Sequence, residues 1–166
     1  MNKKKLTALL LAGVTALTMG LTACGDGSSS ESGSKSSNSA ESSKSVTEIA
    51  DELRNSITFK DNLNPLEEDM YEKLYGVTAD SYKSAKIYIG GGTIAEEIAC
   101  FEAKDEASLE TIKNAINKRI ENMKQSSKDY SPEEMGKLED PVIVTKGNCV
   151  YMCISDDNAK AKEIIG

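Results

Sequence analysis

The stretch Ala85-Lys86-Ile87-Tyr88-Ile89-Gly90-Gly91-Gly92-Thr93-Ile94-Ala95-Glu96-Glu97-Ile98-Ala99-Cys100-Phe101-Glu102-Ala103 decides the fold. Ala85, Ile87 and Ile89 alternate with Lys86 and Tyr88, the period of a half-buried strand. Three glycines then let the chain reverse, and residues 94–103 supply a second strand carrying Ile98, Cys100 and Phe101. A glycine run can also cradle phosphate, but only where it opens a helix. Here a strand-like segment follows it, so the stretch reads as a β-hairpin.

Working outward, Val142-Ile143-Val144-Thr145 and Cys149–Ile154 form a second hairpin joined through Lys146-Gly147-Asn148. Between the hairpins, Asp105 is placed to cap a long helix whose Leu109, Ile112, Ile116, Ile120 and Met123 share one face. Residues 125–129 read as a loop. Ser131-Pro132-Glu133-Glu134 then opens a short helix with Met135 and Leu138 inward.

Ahead of the first hairpin, Ser45 and Glu48 have capping-box spacing before Val46, Ile49, Ala50, Leu53 and Ile57. Asn64-Pro65 reads as the cap and first turn of a second helix, with Leu66, Met70 and Leu74 apolar and Gly76 as its stop. Ser155-Asp156-Asp157 opens a final helix carrying Ala159, Ile164 and Ile165. The order α-α-β-β-α-α-β-β-α predicts an α+β domain, with a single antiparallel four-stranded sheet from two β-hairpins and helices packed mainly on one face. Each hairpin precedes an acidic cap and a helix, which suggests a weak internal repeat.

The N-terminal end is organised differently. Lys3, Lys4 and Lys5 precede an uncharged apolar run from Leu6 to Gly20, and small residues lead to Cys24. This is the layout of an export signal. Leu21-Thr22-Ala23-Cys24 resembles the bacterial lipobox. That resemblance implies cleavage before Cys24 and a covalent diacylglycerol thioether on it. Buried acyl carbons contribute about 0.8 kcal/mol each, which anchors a protein without spanning the bilayer. Residues 25–45 hold no large apolar side chain and read as a Ser-rich tether. Residues 28–45 would average roughly 20–25 Å end to end as a coil. The expected organisation is therefore a signal peptide over 1–23, a lipidated Cys and tether over 24–45, and one domain over 46–166.

The chain has 20 Lys+Arg against 27 Asp+Glu, a net charge of −7. Without the three signal lysines, 17 basic residues face 27 acidic ones, a net charge of −10. Such a surface repels nucleic acid and anionic headgroups. Histidine is absent, which removes the usual general base and the commonest metal ligand. No Trp and two Phe argue against an aromatic platform for sugars or bases. The acidic pairs, Glu96-Glu97 and Glu133-Glu134 among them, read as solvated or helix-capping groups, and none has EF-hand spacing. No cofactor beyond the lipid is expected.

Beyond Cys24, three cysteines remain. Cys149 and Cys153 on one strand would lie roughly 13 Å apart, beyond the about 7 Å that a disulfide tolerates. Three readings stand: buried small hydrophobes, a disulfide from Cys100 to Cys149 or Cys153, and a functional thiol.

Three further pieces, Ile98-Ala99-Cys100-Phe101-Glu102-Ala103, Asp129-Tyr130-Ser131-Pro132-Glu133, and Lys146-Gly147-Asn148 running on to Ser155-Asp156-Asp157, carry a resemblance. The chain resembles an uncharacterised domain-of-unknown-function family of small bacterial lipoproteins, common in Gram-positive anaerobes, over most of residues 46–165. Members of that family often carry an aromatic where Cys149 stands. The resemblance implies location and domain type, and no chemistry.

The expected role is a membrane-anchored extracytoplasmic lipoprotein, a non-catalytic binding or accessory module at the cell envelope. Its partners would be the membrane, through the lipid, and an envelope protein or wall component, with no nucleic acid. Tyr130 and Pro132 are the candidate partner contacts, since they fall in what reads as the loop 128–141. A small-ligand carrier is the alternative, and an envelope hydrolase the third class.

Overall fold

In the computed structural model, which describes residues 44–166, Ser45 and Glu48 cap each other reciprocally. The Ser45 hydroxyl accepts from the Glu48 N–H, and the Glu48 carboxylate accepts from the Ser45 N–H. This opens α1 (Val46–Ser56), which buries Val46, Ile49, Ala50 and Leu53. The signal segment, Cys24 and the tether through residue 43 lie outside the described residues.

The elements that follow are β1 (Asn64–Pro65), α2 (Tyr71–Tyr75), β2 (Tyr82–Ile89), β3 (Glu97–Ala103) and α3 (Glu106–Tyr130). After them come α4 (Met135–Glu139), β4 (Val142–Lys146), β5 (Cys149–Ile154) and α5 (Asn158–Ile165). The strands make one antiparallel sheet in the order β1-β2-β3-β5-β4. Pairing of β3 with β5, with Cys100 opposite Tyr151 and Phe101 opposite Val150, joins the two hairpins. Both hairpins thus lie in one sheet, as their alternation predicts.

The sheet has five strands, not four. Asn64 and Pro65 do not start a helix; they pair with Ile89 and Tyr88 at the sheet edge. A residue before proline is driven towards extended backbone, and an edge strand tolerates the missing proline N–H. Helix α2 waits for a 3-10 turn over Glu68–Met70. It buries Tyr71 and Tyr75 and ends where Gly76, at φ 72°, takes the left-handed turn.

Helices cover both faces of the sheet, which corrects the expected one-sided arrangement. One core joins Ile87, Phe101 and Met152 of the sheet to Ile112, Ile116 and Ile120 of α3, with α2 and Leu138 of α4. The opposite core joins Tyr88, Ile98 and Cys153 to α1 and to Ala161 and Ile165 of α5. The central strands β3 and β5 are buried almost continuously rather than alternately. That run-on apolar character is the mark of a strand covered on both sides.

Helix α3 starts where expected, with the Asp105 carboxylate accepting from the Ser108 N–H. It runs on through Tyr130, so residues 125–129 are helical and not a loop. Asp157 caps α5 in the same way, through the Lys160 N–H, and Ala161 rather than Ala159 faces inward. Both hairpins therefore lead into an Asp-capped helix. The helices go to opposite faces, so the resemblance between the two units does not extend to their packing.

Candidate functional site

At the turn between β2 and β3 the sheet meets a layer of buried charge. Glu97 opens β3, and Arg119 stands on the buried stripe of α3, seven residues beyond Ile112 and three beyond Ile116. Arg119 Nε lies 3.1 and 3.2 Å from the two Glu97 oxygens, and Nη2 lies 2.6 Å from Oε2. The Tyr75 hydroxyl donates to the same carboxylate. Burial, and then the negative Glu97, hold the Tyr75 hydroxyl well above the usual tyrosine range. Burial opposes the charge on Arg119, but the Glu97 carboxylate outweighs it and raises its pKa.

Next to it, Lys137 Nζ lies 2.7 Å from Glu134 Oε2 and 3.1 Å from Glu96 Oε1. Glu96 also accepts from the backbone N–H groups of Lys60 and Asp61, at 2.8 and 3.0 Å. Glu134 accepts from the Ala95 N–H at 3.0 Å. These carboxylates are not the solvated or capping groups that their pairing suggests. Arg119 of α3 and Lys137 of α4 bring countercharge to Glu97 and Glu96 from far along the sequence, and Lys137 also meets Glu134 three residues away, which lets the charge be buried. One signal was available: Glu96-Glu97 interrupt an otherwise apolar run, and Arg119 interrupts an apolar helix stripe.

This layer floors a cleft of about 320 Å³ between the Gly90–Gly92 turn and α3. The turn is tied down from outside. Gly91 N–H donates to Asp61 Oδ2, and the Ser131 hydroxyl donates to the Thr93 carbonyl at 3.1 Å. A Cβ at Gly90 would stand 2.6 Å from Asp61 Oδ2, so any larger residue there would displace the Asp61 carboxylate.

Tyr130 closes α3 beside the cleft and is 87% exposed. With Gly92, Thr93, Ser126, Ser127 and Ser131 it lines an adjoining depression. Pro132 is exposed two residues on, at the start of a 3-10 turn. The structure thus places Tyr130 on a helix end instead of in a loop, and Pro132 is not among the residues lining the cleft or the adjoining depression.

The three described cysteines are free thiols. Cys100 stands opposite Tyr151, two register positions from both Cys149 and Cys153. No disulfide joins them. Burial pushes the Cys100 thiol far up and the Cys153 thiol up to about 12. Thiols so held are not nucleophiles at neutral pH. Among the described residues no group of His, Cys, Asp and Glu has metal-holding geometry, and no helix is long and apolar enough to cross a membrane.

A family model described as a domain of unknown function (DUF4358) matches residues 55–155. No curated protein matches the chain, and no solved structure matches it.

Proposed function

The chain belongs to the DUF4358 family, and we propose that it is an envelope lipoprotein, held at the extracytoplasmic face by a diacylglycerol on Cys24, that works by binding a partner. The observation that carries this reading is Tyr130. Five of the six tyrosines are buried, at 8% exposure or less, whereas Tyr130 is 87% exposed. A tyrosine offers a large contact area and a hydroxyl at low entropic cost, which suits an anchor for recognition. The partner is an envelope protein or a wall component, engaged by Tyr130 beside the cleft and by Pro132 two residues on. The N-terminal sequence supports the anchor: three lysines, an apolar run and Leu21-Thr22-Ala23-Cys24. A tether on a lipid raises the effective concentration of the domain for neighbours in the same membrane. Action by contact, without catalysis, is supported by the raised thiols and by the mutual neutralisation of Glu97 and Arg119.

Cross-linking in cells, followed by mass spectrometry, tests this. Tyr130→Ala should keep the fold and the membrane location while losing the cross-linked partners. Cys24→Ser should release the protein from membranes or leave it uncleaved. Turnover of a wall or lipid substrate that survives re-purification would overturn the non-catalytic reading. A second reading, a small-ligand carrier, is favoured by the cleft of about 320 Å³.

A further inference from the structure

We propose that the cleft between the Gly90–Gly92 turn and α3 binds a carboxylate carried on an apolar body, received at the unspent edge of Arg119. The inference rests on the reading of this domain as a binding module and gives that module a ligand class.

A guanidinium has five N–H donors in a fixed fork. Arg119 spends Nε and one N–H of Nη2 on Glu97. Its Nη1 group is not used in the bonds to Glu97. It keeps contact with water, since the buried unpaired side-chain atom among the described residues is Asn158 Oδ1, and a planar acceptor in the cleft would replace that water with charge-assisted bonds. The Asn122 amide and the Ser127 hydroxyl line the same cleft, and neither makes a side-chain hydrogen bond to a described residue. Arg matches carboxylate geometry in two parallel bonds.

The charge around the cleft selects the ligand. Glu97 is fully engaged by Arg119 and Tyr75, so it offers no free acceptor to hold a cation. In a neighbouring depression that shares Arg119 and Asn122 with the cleft, Lys73 and Lys118 accompany Glu72, and neither lysine has a salt bridge among the described residues. The charged groups lining the cleft are Glu96, Glu97 and Arg119, with Lys137 on Glu96, so Arg119 is the cation that can receive a ligand there and a single negative charge is the most it can offset. A doubly charged phosphate would meet Glu96 and Glu97 with too little positive charge beside it. Apolar side chains line the cleft on both sides: Met123 on α3, Ile89 and Ile94 flanking the turn, and Leu74 of α2. They call for an apolar body next to the carboxylate. Two sources have that chemistry, a small apolar acid and the C-terminus of a peptide ending in an apolar residue.

The test is calorimetric titration of the full-length protein in detergent with N-acetyl-leucine and with its amide, then with a leucine-ended hexapeptide in acid and amidated forms. The acids should bind at least about tenfold more tightly than the amides, the scale of a charge-assisted bond to arginine. That gap should close in Arg119→Lys, which keeps the charge but loses the fork. Should Arg119→Lys fail to fold, Asn122→Leu, at an exposed helix position, should still weaken the acids about tenfold. A hexapeptide acid that outbinds N-acetyl-leucine assigns the site to chain ends, and equal affinity assigns it to small acids. Equal binding of acid and amide, no binding of any acid, or acid binding unchanged in the folded variants overturns the proposal. Recovery of N-acetyl-leucine unchanged keeps the domain a binding module. Its hydrolysis would overturn that reading while leaving the site in place.

Discussion

Glu97 on β3 and Arg119 on α3 meet at 2.6 Å, with side chains 2% and 20% exposed. The contact fixes α3 to the sheet at the floor of the cleft. Neither partner alone is tolerable there: a lone charge in this layer has lost its water without gaining a counterion. Glu97→Ala should therefore cost about 3–5 kcal/mol, read as a fall in the urea midpoint. The double variant Glu97→Leu with Arg119→Met should recover most of that loss. A Glu97→Ala protein as stable as the parent would mean that Arg119 finds another partner or water.

Lys137 is the sole described cation within salt-bridge distance of both Glu96 and Glu134. Lys137→Met keeps the length and removes the charge. It should destabilise the domain by about 3–5 kcal/mol. The Glu96 and Glu134 bonds to the Lys60, Asp61 and Ala95 backbone should loosen with it, visible as faster amide hydrogen exchange in residues 60, 61 and 95.

Ile116 is fully buried between α3 and the sheet, in the core that holds Phe101 and Met152. Ile116→Ala should cost about 2–5 kcal/mol, through lost transfer energy and the cavity left behind. Thermal and urea unfolding would both report it, and an unchanged midpoint would place that helix outside the core.

Alkali should unfold the domain. Cys153 and Tyr88 are each pushed up to about 12, chiefly by burial, with an Asp51 hydrogen bond adding to the shift of Tyr88. Cys100 and Tyr75 are raised as well, again first by burial. In the unfolded chain, thiols and phenols ionise near about 8.5 and 10. Above those values the folded protein holds more protons than the unfolded one, so stability falls as pH rises. The contribution is complete below about pH 8.5 and is lost on approach to pH 12. Urea midpoints from pH 7 to 11 should be level at first and then decline, and a level profile throughout would contradict the burial of these groups.

The same burial predicts selective thiol chemistry. Cys149 is half-buried at the start of β5, whereas Cys100 and Cys153 are fully covered. In the folded protein, iodoacetamide should label Cys149 and spare the other two. Peptide mass spectrometry would show all three labelled only in denaturant.

Local rules carried much of the fold. Ser45, Asp105 and Asp157 cap helices where their spacing says they should, because a cap is satisfied within three residues. The stripe Ile112, Ile116 and Ile120 and both hairpins likewise rest on short-range periodicity. Asn64-Pro65 misled because the bias of a residue before proline competes with the helix-start signal, and pairing with Ile89 settled it. The end of α3 was misplaced because residues 125–129 are polar, and a polar helix end on a surface has no apolar stripe to announce it.

Tertiary structure alone decided which charges are buried. Glu97 meets Arg119 across 22 residues and Glu96 meets Lys137 across 41, separations over which composition and periodicity carry no information. The same holds for the second helical layer. Whether Ile98, Cys100 and Cys153 face solvent or α1 and α5 depends on where those helices return. What the sequence determined by itself was the set of elements, their caps and an N-terminus that resembles an export signal. What only the assembled sheet decided was that two glutamates lie beneath a glycine turn, paired with cations from α3 and α4, because burying charge requires partners that only the fold brings within reach.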